Sequence, residues 1–200
     1  MERYTAGMQP EVTDEMLMLN YRAGDTQSFA ALFARHNGGV FRYFLRQCRD
    51  RGLAEELAQD VWMRVIKAAE GYEAHAKFTT YLYRIAHNRL IDHVRRIGAR
   101  PEDSFDDPPD EVEALSAPEI TMPDRMHERR QLAEHLVAAL EALPADQREA
   151  FLLHEEAGMT LEEIASVTGA GRETIKSRLR YALNKLRTSL AGARANGESQ

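Results

Sequence analysis

A run of 24 residues in the middle of the chain cannot fold as one helix, and it divides the sequence in two. From Pro101 to Asp124 there are nine acidic residues and no lysine or arginine. Proline lacks a backbone N–H and interrupts helices, and this run contains five of the chain's seven prolines: Pro101, Pro108, Pro109, Pro118 and Pro123. Because so charged a segment has little apolar surface to bury, the sequence predicts an extended, acidic, proline-containing linker over 100–125.

The segments on both sides of this linker carry apolar residues at helical spacing. Neither segment alternates with period two over a useful length, so no sheet is expected. The predicted fold class is therefore all-α, with two small helical domains at 14–99 and 126–191. We expect Gly38 and Gly39 to punctuate the second helix and Gly71 to cap the third. Helices are predicted at 14–24, 26–50, 53–69, 79–97, 126–142, 145–156, 160–167 and 172–190.

Charge is distributed unevenly along the chain. The net charge of −6, taken alone, argues against a nucleic-acid-binding protein, since such proteins are commonly basic where they meet phosphate. However, five arginines and one acid lie between Arg84 and Arg100, and seven basic residues and one acid lie between Gly171 and Arg194. The sequence thus holds two basic modules separated by an acidic linker.

Cysteine content and hydropathy limit the class of protein. The single cysteine, Cys48, can form neither an internal disulfide nor a multi-cysteine zinc site. No apolar run approaches the ~20 residues that span a bilayer, and the segment from Met1 to Asp14 lacks a basic stretch followed by an apolar one. We therefore expect a cytoplasmic protein with no membrane insertion, and the sequence indicates no cofactor or metal.

The strongest local signal is TLEEIASVTGAGRETIKSRLRYALNKLR at 160–187. Thr160 and Glu163 can form a capping box on a short helix, and Gly169 supplies a tight turn before a second, basic helix. This order is typical of a helix-turn-helix. Polar residues on the second helix recur every three to four positions opposite its apolar stripe, as DNA binding in the major groove requires. A solvated surface face is the alternative, which the capped helix and the glycine turn disfavour. The polar residues are Arg172, Glu173, Lys176, Ser177 and Arg180.

The fourth predicted helix begins with an aromatic cluster followed by a polar face. Rings can stack on unpaired bases while amides and guanidinium groups hold the backbone, which suits single-stranded DNA. The alternative is a helix with core aromatics and a surface ion pair of Asp92 with an arginine, and the pattern alone leaves both open. The aromatic residues are Phe78, Tyr81 and Tyr83. The polar face holds Arg84, Asn88, Asp92, Arg95 and Arg96. The inward stripe is expected to be Leu82, Ile85, Ala86, Leu90, Val94 and Ile97.

The third predicted helix leaves a face of mixed charge outside its apolar stripe. Such a face either docks a partner or meets water, and the pattern alone favours water. Its members are Glu56, Gln59, Asp60, Met63, Arg64 and Lys67.

Taken together, these features resemble the sigma-70 family of RNA polymerase sigma factors, specifically its extracytoplasmic-function group. AEELAQDVWMRVIKA at 54–68 is similar to the family's core-binding helix. FTTYLYRIAHNRLIDHVRR at 78–96 is similar to the element that melts and reads minus-10 promoter DNA. The motif at 160–187 resembles the helix-turn-helix that reads the minus-35 element. The family often has Trp where this sequence has Tyr81, and Ser or Pro where it has Gly171. Because glycine has no side chain, Gly171 provides no side-chain cap for the recognition helix.

The resemblance implies a promoter-recognition subunit rather than an enzyme, with sigma region 2 at 14–99 and sigma region 4 at 126–191. The implied partners are core RNA polymerase (beta-prime and beta subunits), promoter DNA and an anti-sigma factor of unknown type. A flipped minus-10 base is expected between the 71–78 loop and the helix behind it. The implied core-binding residues are Glu56, Gln59, Asp60, Met63 and Arg64. Those implied for minus-10 DNA are Phe78, Tyr81, Arg84, Asn88, Asp92, Arg95 and Arg96. Those implied for minus-35 DNA are Arg172, Glu173, Thr174, Lys176, Ser177 and Arg180.

Two other function classes are weighed against this interpretation. An autonomous helix-turn-helix regulator would bind duplex DNA without polymerase, but it leaves the basic 84–100 segment unexplained. A helical-bundle metal enzyme needs Glu-x-x-His motifs on facing helices, and the sequence contains none. In addition, His87 and His93 are six residues apart and point to different faces of one helix. The metal-binding candidates in that hypothesis are Glu55, Glu56, Asp60, His87 and His93.

Overall fold

Helices make up almost all of the part of the protein that the structure, a computed structural model, describes: residues 12–98 and 123–197. No strand occurs within these ranges, which confirms the all-α prediction. The predicted linker lies almost wholly at 99–122, outside the described residues. The N-terminal half contains α1 (Asp14–Arg22), α2 (Thr26–Cys48), α3 (Arg51–Lys67) and α4 (Phe78–Gly98). The C-terminal half contains α5 (Pro123–Glu141), α6 (Ala145–Glu155), α7 (Leu161–Thr168) and α8 (Arg172–Gly197).

Side-chain caps fix where the first three helices begin. The side chains of Thr13, Asp25 and Asp50 each accept a hydrogen bond from a backbone N–H in the first turn of α1, α2 and α3. These groups satisfy N–H donors that would otherwise have no partner in the helix. The apolar stripes that follow then pack into one core, which includes Met18, Leu32, Val40, Phe44, Leu57, Val61, Val65, Leu82 and Ala86.

Two glycines lie inside α2 instead of interrupting it. The helix continues through Gly38 and Gly39 to Cys48, so the two glycines do not punctuate it as expected. A Cβ atom at position 39 would lie 2.9 Å from the Tyr83 hydroxyl oxygen of α4. Gly39 therefore serves close packing between α2 and α4, and its backbone remains helical.

The end of α3 also differs from the prediction. The helix ends at Lys67, and a 3-10 turn at Ala69–Gly71 follows it. Positive φ angles among the described glycines occur at Gly24, Gly158 and Gly169, so Gly71 is not a left-handed cap. The tighter turn buries Ala69 and Tyr72 against the core. The Arg22 guanidinium then donates to the Tyr72 carbonyl oxygen over 2.7 Å.

The last turns of α4 project beyond the core. Leu90 is buried, but Val94 and Ile97, which the sequence placed on the inward stripe, are about half exposed. Their helical spacing continues the stripe, yet no helix within 12–98 or 123–197 covers them. The basic end of α4 is consequently accessible on several sides.

The C-terminal half contributes to two apolar clusters. Residues of α5 and α8 form a small cluster of their own, whereas buried residues of α6 and α7 join the core of the N-terminal half. The two halves are therefore packed against each other in this structure. Within the described ranges, no helix combines the length and apolar character that a bilayer crossing requires.

Candidate nucleic-acid and partner interfaces

The helix-turn-helix predicted at the C-terminal end is present in α7 and α8. The Thr160 side chain accepts from the Glu163 N–H, and the Glu163 carboxylate accepts from the Thr160 N–H at 2.8 Å, which completes the capping box. Gly169 has a φ of 70°, a left-handed conformation that glycine adopts without strain. Ile164, Val167, Ile175 and Leu179 are buried beneath the turn, so the two helices are held by apolar packing and by their caps.

Acidic neighbours hold several basic groups on the outward face of α8. Arg172 forms ion pairs with Glu162 of α7 and with Glu173, and Lys176 lies 3.4 Å from Glu173. The hydrogen bond from Arg172 lowers the pKa of Glu162, and the same bond raises the pKa of Arg172. DNA binding on this face would exchange these carboxylates for phosphates or base edges.

In the middle of the α8 face, the basic residue Arg180 contacts an aromatic ring. Arg180 is exposed, and its guanidinium carbon lies 5.0 Å from the centre of the exposed Tyr181 ring, an arrangement typical of a cation–π contact. Ser177 is half-buried and Thr174 is exposed. The predicted minus-35 residues thus share one accessible face, and Tyr181 is an exposed aromatic neighbour that the sequence reasoning did not include.

The polar face of α4 is accessible, but part of the aromatic cluster is not. The predicted polar residues are exposed: Arg84, Asn88, Asp92, Arg95 and Arg96. Phe78 and Tyr83, in contrast, are buried in the core, and Phe78 packs near the rings of Tyr72 and Tyr81. The sequence assigned Phe78 to base stacking, and the structure corrects this assignment. The Phe78 ring has no exposed surface on which a base could stack, so it belongs to the core. The half-buried Tyr81 keeps part of its ring open.

A pocket opens between the C-terminal end of α3 and the start of α4. It has a volume of about 430 Å³ and is lined by Arg64, Lys67, Ala68, Tyr81, Ile85 and Asn88. Burial raises the pKa of the Tyr81 phenol, which stays neutral at physiological pH. The pocket thus combines an aromatic ring, an amide and two cations. The sequence assigned Arg64 to polymerase docking and did not include Lys67 in a site. Arg64 and Lys67 are spaced i,i+3 and so lie on the same face of α3. Both line the pocket that this face forms with α4.

The mixed-charge face of α3 points to solvent. Glu56, Gln59, Met63 and Arg64 are exposed, whereas Asp60 is half-buried because it bonds to α4. The Arg89 Nε atom donates to Asp60 Oδ2 over 2.7 Å, and Arg89 Nη2 lies 3.9 Å from Glu56. The same Arg89 charge, after desolvation, lowers the pKa of His93. The sequence analysis gave Arg89 no role. Although Arg89 lies in line with the apolar stripe of α4, an arginine in a helix is ordinarily expected to be solvated.

A polar cluster joins the two halves of the molecule. One carboxylate oxygen of Glu149 on α6 accepts from the Tyr43 hydroxyl at 2.6 Å and contacts His87 Nδ1 at 2.7 Å. All three side chains are largely buried. Desolvation, and then the Glu149 charge, raise the pKa of Tyr43, so its hydroxyl remains protonated and donates. Sequence reasoning did not find this cluster, since its members are separated by up to 106 residues.

Charged pairs surround this cluster. Arg42 Nε donates to Glu156 at 2.8 Å, which is the main reason that the pKa of Arg42 is raised. Lys77 lies 3.0 Å from the Glu163 carboxylate of α7, and Arg84 donates to Ser166 of α7 at 2.7 Å. Residues of the α4 region are therefore in direct contact with the first helix of the helix-turn-helix.

The metal-enzyme hypothesis gains no support from this geometry. Asp60 is bonded to Arg89, and His87 is bonded to Glu149. Among residues 12–98 and 123–197, no three His, Cys, Asp or Glu side chains form a group that could hold a metal ion.

Comparison with known families assigns both halves. Residues 32–100 match the family described as Sigma-70 region 2, and residues 133–186 match Sigma-70, region 4. These matches fall on the α2–α4 part of the N-terminal half and on most of α5–α8. Region 2 and region 4 are the names used below for the two halves.

Similar proteins and structures agree with this assignment. The ECF RNA polymerase sigma factor SigK of Mycolicibacterium vanbaalenii is 32% identical over 201 residues, covering 94% of this chain and 95% of that protein. The ECF RNA polymerase sigma-E factor of Escherichia coli K12 is 27% identical, over 86% of this chain and 91% of its own length. The sigma factor RpoE from Bartonella quintana, solved with the anti-sigma factor NepR, superimposes with a TM-score of 0.66 at 25% identity, over 82% of this chain and 98% of its own. The chain therefore belongs to the sigma-70 family of RNA polymerase sigma factors, in the extracytoplasmic-function group.

Proposed function

We propose that this sigma factor binds core RNA polymerase and directs it to promoters by reading two DNA elements with two different helices. The observation that carries the proposal is the separation of three accessible faces on α3, α4 and α8. The faces of α4 and α8 carry arginine and lysine, and the face of α3 has mixed charge. Phosphodiester bond formation then belongs to the polymerase, and this chain supplies binding.

Region 4 holds the upstream duplex through α8. Lys176, Ser177 and Arg180 lie on its accessible face in a helix-turn-helix frame, so the helix can enter the major groove. Arg172 and Glu173 in the first turn form an ion pair. The Glu173 carboxylate reduces the net positive charge that this end of α8 presents to DNA. Arginine and lysine contacts to guanine or phosphate give the affinity, and the mixture of polar groups gives selectivity.

Region 2 captures the unpaired strand at the minus-10 element. The pocket beside Tyr81 supports this assignment, since its volume of about 430 Å³ can admit a nucleobase and its lining includes a partly open ring, the Asn88 amide and the cations Arg64 and Lys67. Taking a base out of the stack costs a few kcal/mol, which stacking and phosphate contacts offset. The residues that line this pocket belong to the end of α3, to Ala68 and to α4, whereas the sequence placed the flipped base against the 71–78 loop, which contributes no lining residue.

The α3 face docks on core polymerase, with Glu56, Gln59, Asp60, Met63 and Arg64 as its proposed contacts. Docking would turn a non-specific polymerase into a promoter-specific enzyme. Arg64 belongs to this face and to the pocket, which makes it a shared residue. An anti-sigma factor of unknown type is also a proposed partner, since the similar Bartonella quintana sigma factor was solved with one.

Run-off transcription tests the proposed function. Purified core polymerase, with and without this protein, is given a library of genomic promoter fragments, and the transcripts are sequenced. We expect transcripts with defined start sites only when the protein is present, and their loss when Lys176 and Arg180 are both replaced with alanine. No dependence on the protein would overturn the proposal. Sequence-specific duplex binding by the protein alone would instead favour an autonomous regulator.

A further inference from the structure

Helix α1 bonds the main chain at both ends of the connection between the 3-10 turn and α4. The Arg22 guanidinium at the C-terminal end of α1 donates to the Tyr72 carbonyl oxygen over 2.7 Å. The Glu15 carboxylate near its N-terminal end accepts from the Phe78 N–H at 2.7 Å. Glu15 and Arg22 are two helical turns apart, so they lie on one face of α1, separated by about 10 Å along its axis. The connection is therefore held by a single rigid helix.

Each anchored residue adjoins a wall of the pocket. Tyr72 follows the 3-10 turn of Ala69–Gly71, which begins directly after the pocket residue Ala68. Phe78 is the first residue of α4, the helix that carries Tyr81 into the pocket lining. The Tyr72 ring meets the Tyr81 ring edge-on, with 5.3 Å between their centroids, and the Phe78 ring packs near both. The three rings thus form one contact group, in which Tyr81 lines the pocket.

The Tyr72 side chain is held by packing and not by a bond to its hydroxyl. That hydroxyl is buried and has no hydrogen-bond partner within residues 12–98 and 123–197. Burial, and then the Glu15 charge, raise the pKa of Tyr72 to about 12, so the ring stays neutral. Ring pairs tolerate several geometries, whereas a charge-assisted hydrogen bond is shorter and about twice as strong as a neutral one. The bond from Arg22 to the main chain therefore fixes Tyr72 and, through it, the ring of Tyr81.

We propose that Glu15 and Arg22 are positioning residues for the base pocket, with α1 setting the gap between the wall at Ala68 and the ring of Tyr81. This inference rests on the proposed capture of an unpaired base in that pocket. Groups that bind a ligand keep their geometry only when surrounding bonds lock them in place. Helix α1 then contributes to DNA reading, although its two residues bond the main chain and do not line the pocket.

Two alanine variants remove the anchors, and each has a matched control. Arg22→Ala removes the donor to the connection. Arg35→Ala is its control, because Arg35 is also exposed and also donates to a main-chain carbonyl, that of Val12 just before α1, at 2.9 Å. Glu15→Ala removes the acceptor for the Phe78 N–H. Glu15→Gln is its control, since it removes the charge but keeps an oxygen that can accept the same hydrogen bond.

The readout is the affinity of the holoenzyme, formed by core polymerase and this protein, for forked DNA from a promoter that run-off transcription recovers. One probe keeps every base of its unpaired minus-10 segment. In a matched series, each unpaired position in turn is made abasic. The pocket base is the position whose removal abolishes the effect of Tyr81→Leu.

Both alanine variants should depend on that base. We expect Arg22→Ala and Glu15→Ala to weaken binding of the intact probe about 5-fold, a part of what a lost base–ring stack costs. On the probe that lacks the pocket base, both should match the wild type, because no base remains to be positioned. Arg35→Ala and Glu15→Gln should match the wild type on every probe.

Each result decides the inference. A loss that persists on the abasic probe, or an equal loss from Arg35→Ala, would show that α1 acts through general stability and would overturn it. Wild-type binding by both alanine variants, with Tyr81→Leu weakened, would overturn it and leave the base site standing. Wild-type binding by Tyr81→Leu would instead remove the base site, and the inference with it. If circular dichroism shows that one alanine variant is unfolded, the other decides alone.

Discussion

Arg89 on α4 donates from Nε to Asp60 Oδ2 on α3 over 2.7 Å. The Arg89 side chain is only 4% exposed, whereas that of Asp60 is 45% exposed. A second guanidinium nitrogen, Nη1, is buried and has no hydrogen-bond partner among the residues that the structure describes. The Asp60 carboxylate, on the face proposed to contact polymerase, thus also compensates a buried charge in α4, the helix proposed to read minus-10 DNA. Changes at Asp60 should therefore affect stability as well as docking.

A double-mutant cycle tests this coupling. Asp60→Ala leaves the Arg89 charge buried and unpaired, so we expect it to lower the free energy of unfolding by about 1–3 kcal/mol. Arg89→Met removes the charge and fills similar space, and Asp60→Ala added to it should cost little. Urea denaturation of the four proteins gives the coupling energy. Glu55→Ala is the control, because its exposed i,i+4 pair with Arg51 should contribute less than about 0.5 kcal/mol. Additive effects at Asp60 and Arg89 would contradict the prediction.

Gly39 and Gly38 should respond in opposite ways to alanine. At Gly39 the new Cβ would lie 2.9 Å from the Tyr83 hydroxyl, whereas at Gly38 it meets only the flexible end of Arg42 at 3.3 Å. Alanine is favoured over glycine within a helix by up to about 1 kcal/mol. We therefore expect Gly38→Ala to be neutral or stabilising and Gly39→Ala to lower the thermal midpoint. Tyr83→Phe removes the obstructing oxygen and should restore stability to Gly39→Ala. Equal midpoints for the two alanine variants would show that α2 and α4 tolerate the methyl group.

The recognition helix should lose promoter affinity in two distinguishable ways. Lys176→Ala or Arg180→Ala should cost roughly 1–3 kcal/mol if the residue reads a base, and should weaken binding evenly across sequences if it holds phosphate. In the phosphate case, the slope of log affinity against log salt should fall by about one. Lys185→Ala, an exposed lysine two turns beyond Ser177 on the same helix, is the control. Unchanged promoter activity in both variants would refute the assignment.

Tyr81 should act through its ring and not through its hydroxyl. Replacing Tyr81 with leucine removes the aromatic face of the pocket, and a lost base–ring stack costs about 1–3 kcal/mol. Tyr81→Phe keeps the ring and should behave like the wild type. The measurement is open-complex formation, followed by permanganate reactivity of unpaired thymines on a promoter recovered by the run-off assay. Wild-type opening by the leucine variant would remove Tyr81 from the proposed base site.

Local features of this fold could be predicted from sequence, whereas its long-range pairings could not. The capping box of Thr160 and Glu163 and the turn at Gly169 depend on residues within one or two turns, so spacing is sufficient to find them. Asp60 and Arg89 are 29 positions apart, and from the sequence alone each is expected to be a solvated surface charge. Their pairing depends on how α3 packs on α4, which no local pattern encodes.

The errors have physical causes as well. Gly39 was expected to punctuate α2 because glycine weakens isolated helices, but close packing against Tyr83 leaves no room for a side chain at this position. Phe78 suggested stacking because it begins a basic helix, yet the hydrophobic effect places it in the core. In both cases tertiary burial outweighs the local preference. Most residues predicted for the outward faces of α3 and α8 are exposed, because helical periodicity determines which residues lie opposite the core, whereas Asp60 and Ser177 are half-buried.

The acidic linker should contribute charge as well as reach. Its nine acids would be an unusual choice for a simple tether, since neutral glycine and serine provide reach without self-repulsion. Family resemblance suggests that such a linker follows the basic path that RNA later occupies in the polymerase. These residues lie outside the described part of the chain. The acids proposed to stand in for phosphates are Asp103, Asp106, Asp107, Asp110, Glu111 and Glu113.

A variant with these six residues changed to Asn or Gln keeps the length of the linker and removes its attraction to basic channel walls. We expect it to bind core polymerase and promoter through the two domains, yet to show altered initiation and fewer abortive short transcripts. A control variant that exchanges Asp and Glu at the same six positions keeps the charge and should match the wild type. Because salt screens such attraction, with a Debye length of about 10 Å at 0.1 M, the difference from wild type should shrink as salt rises. If the ratio of abortive to full-length transcripts equals that of the wild type across the whole salt series, the linker acts only as a tether.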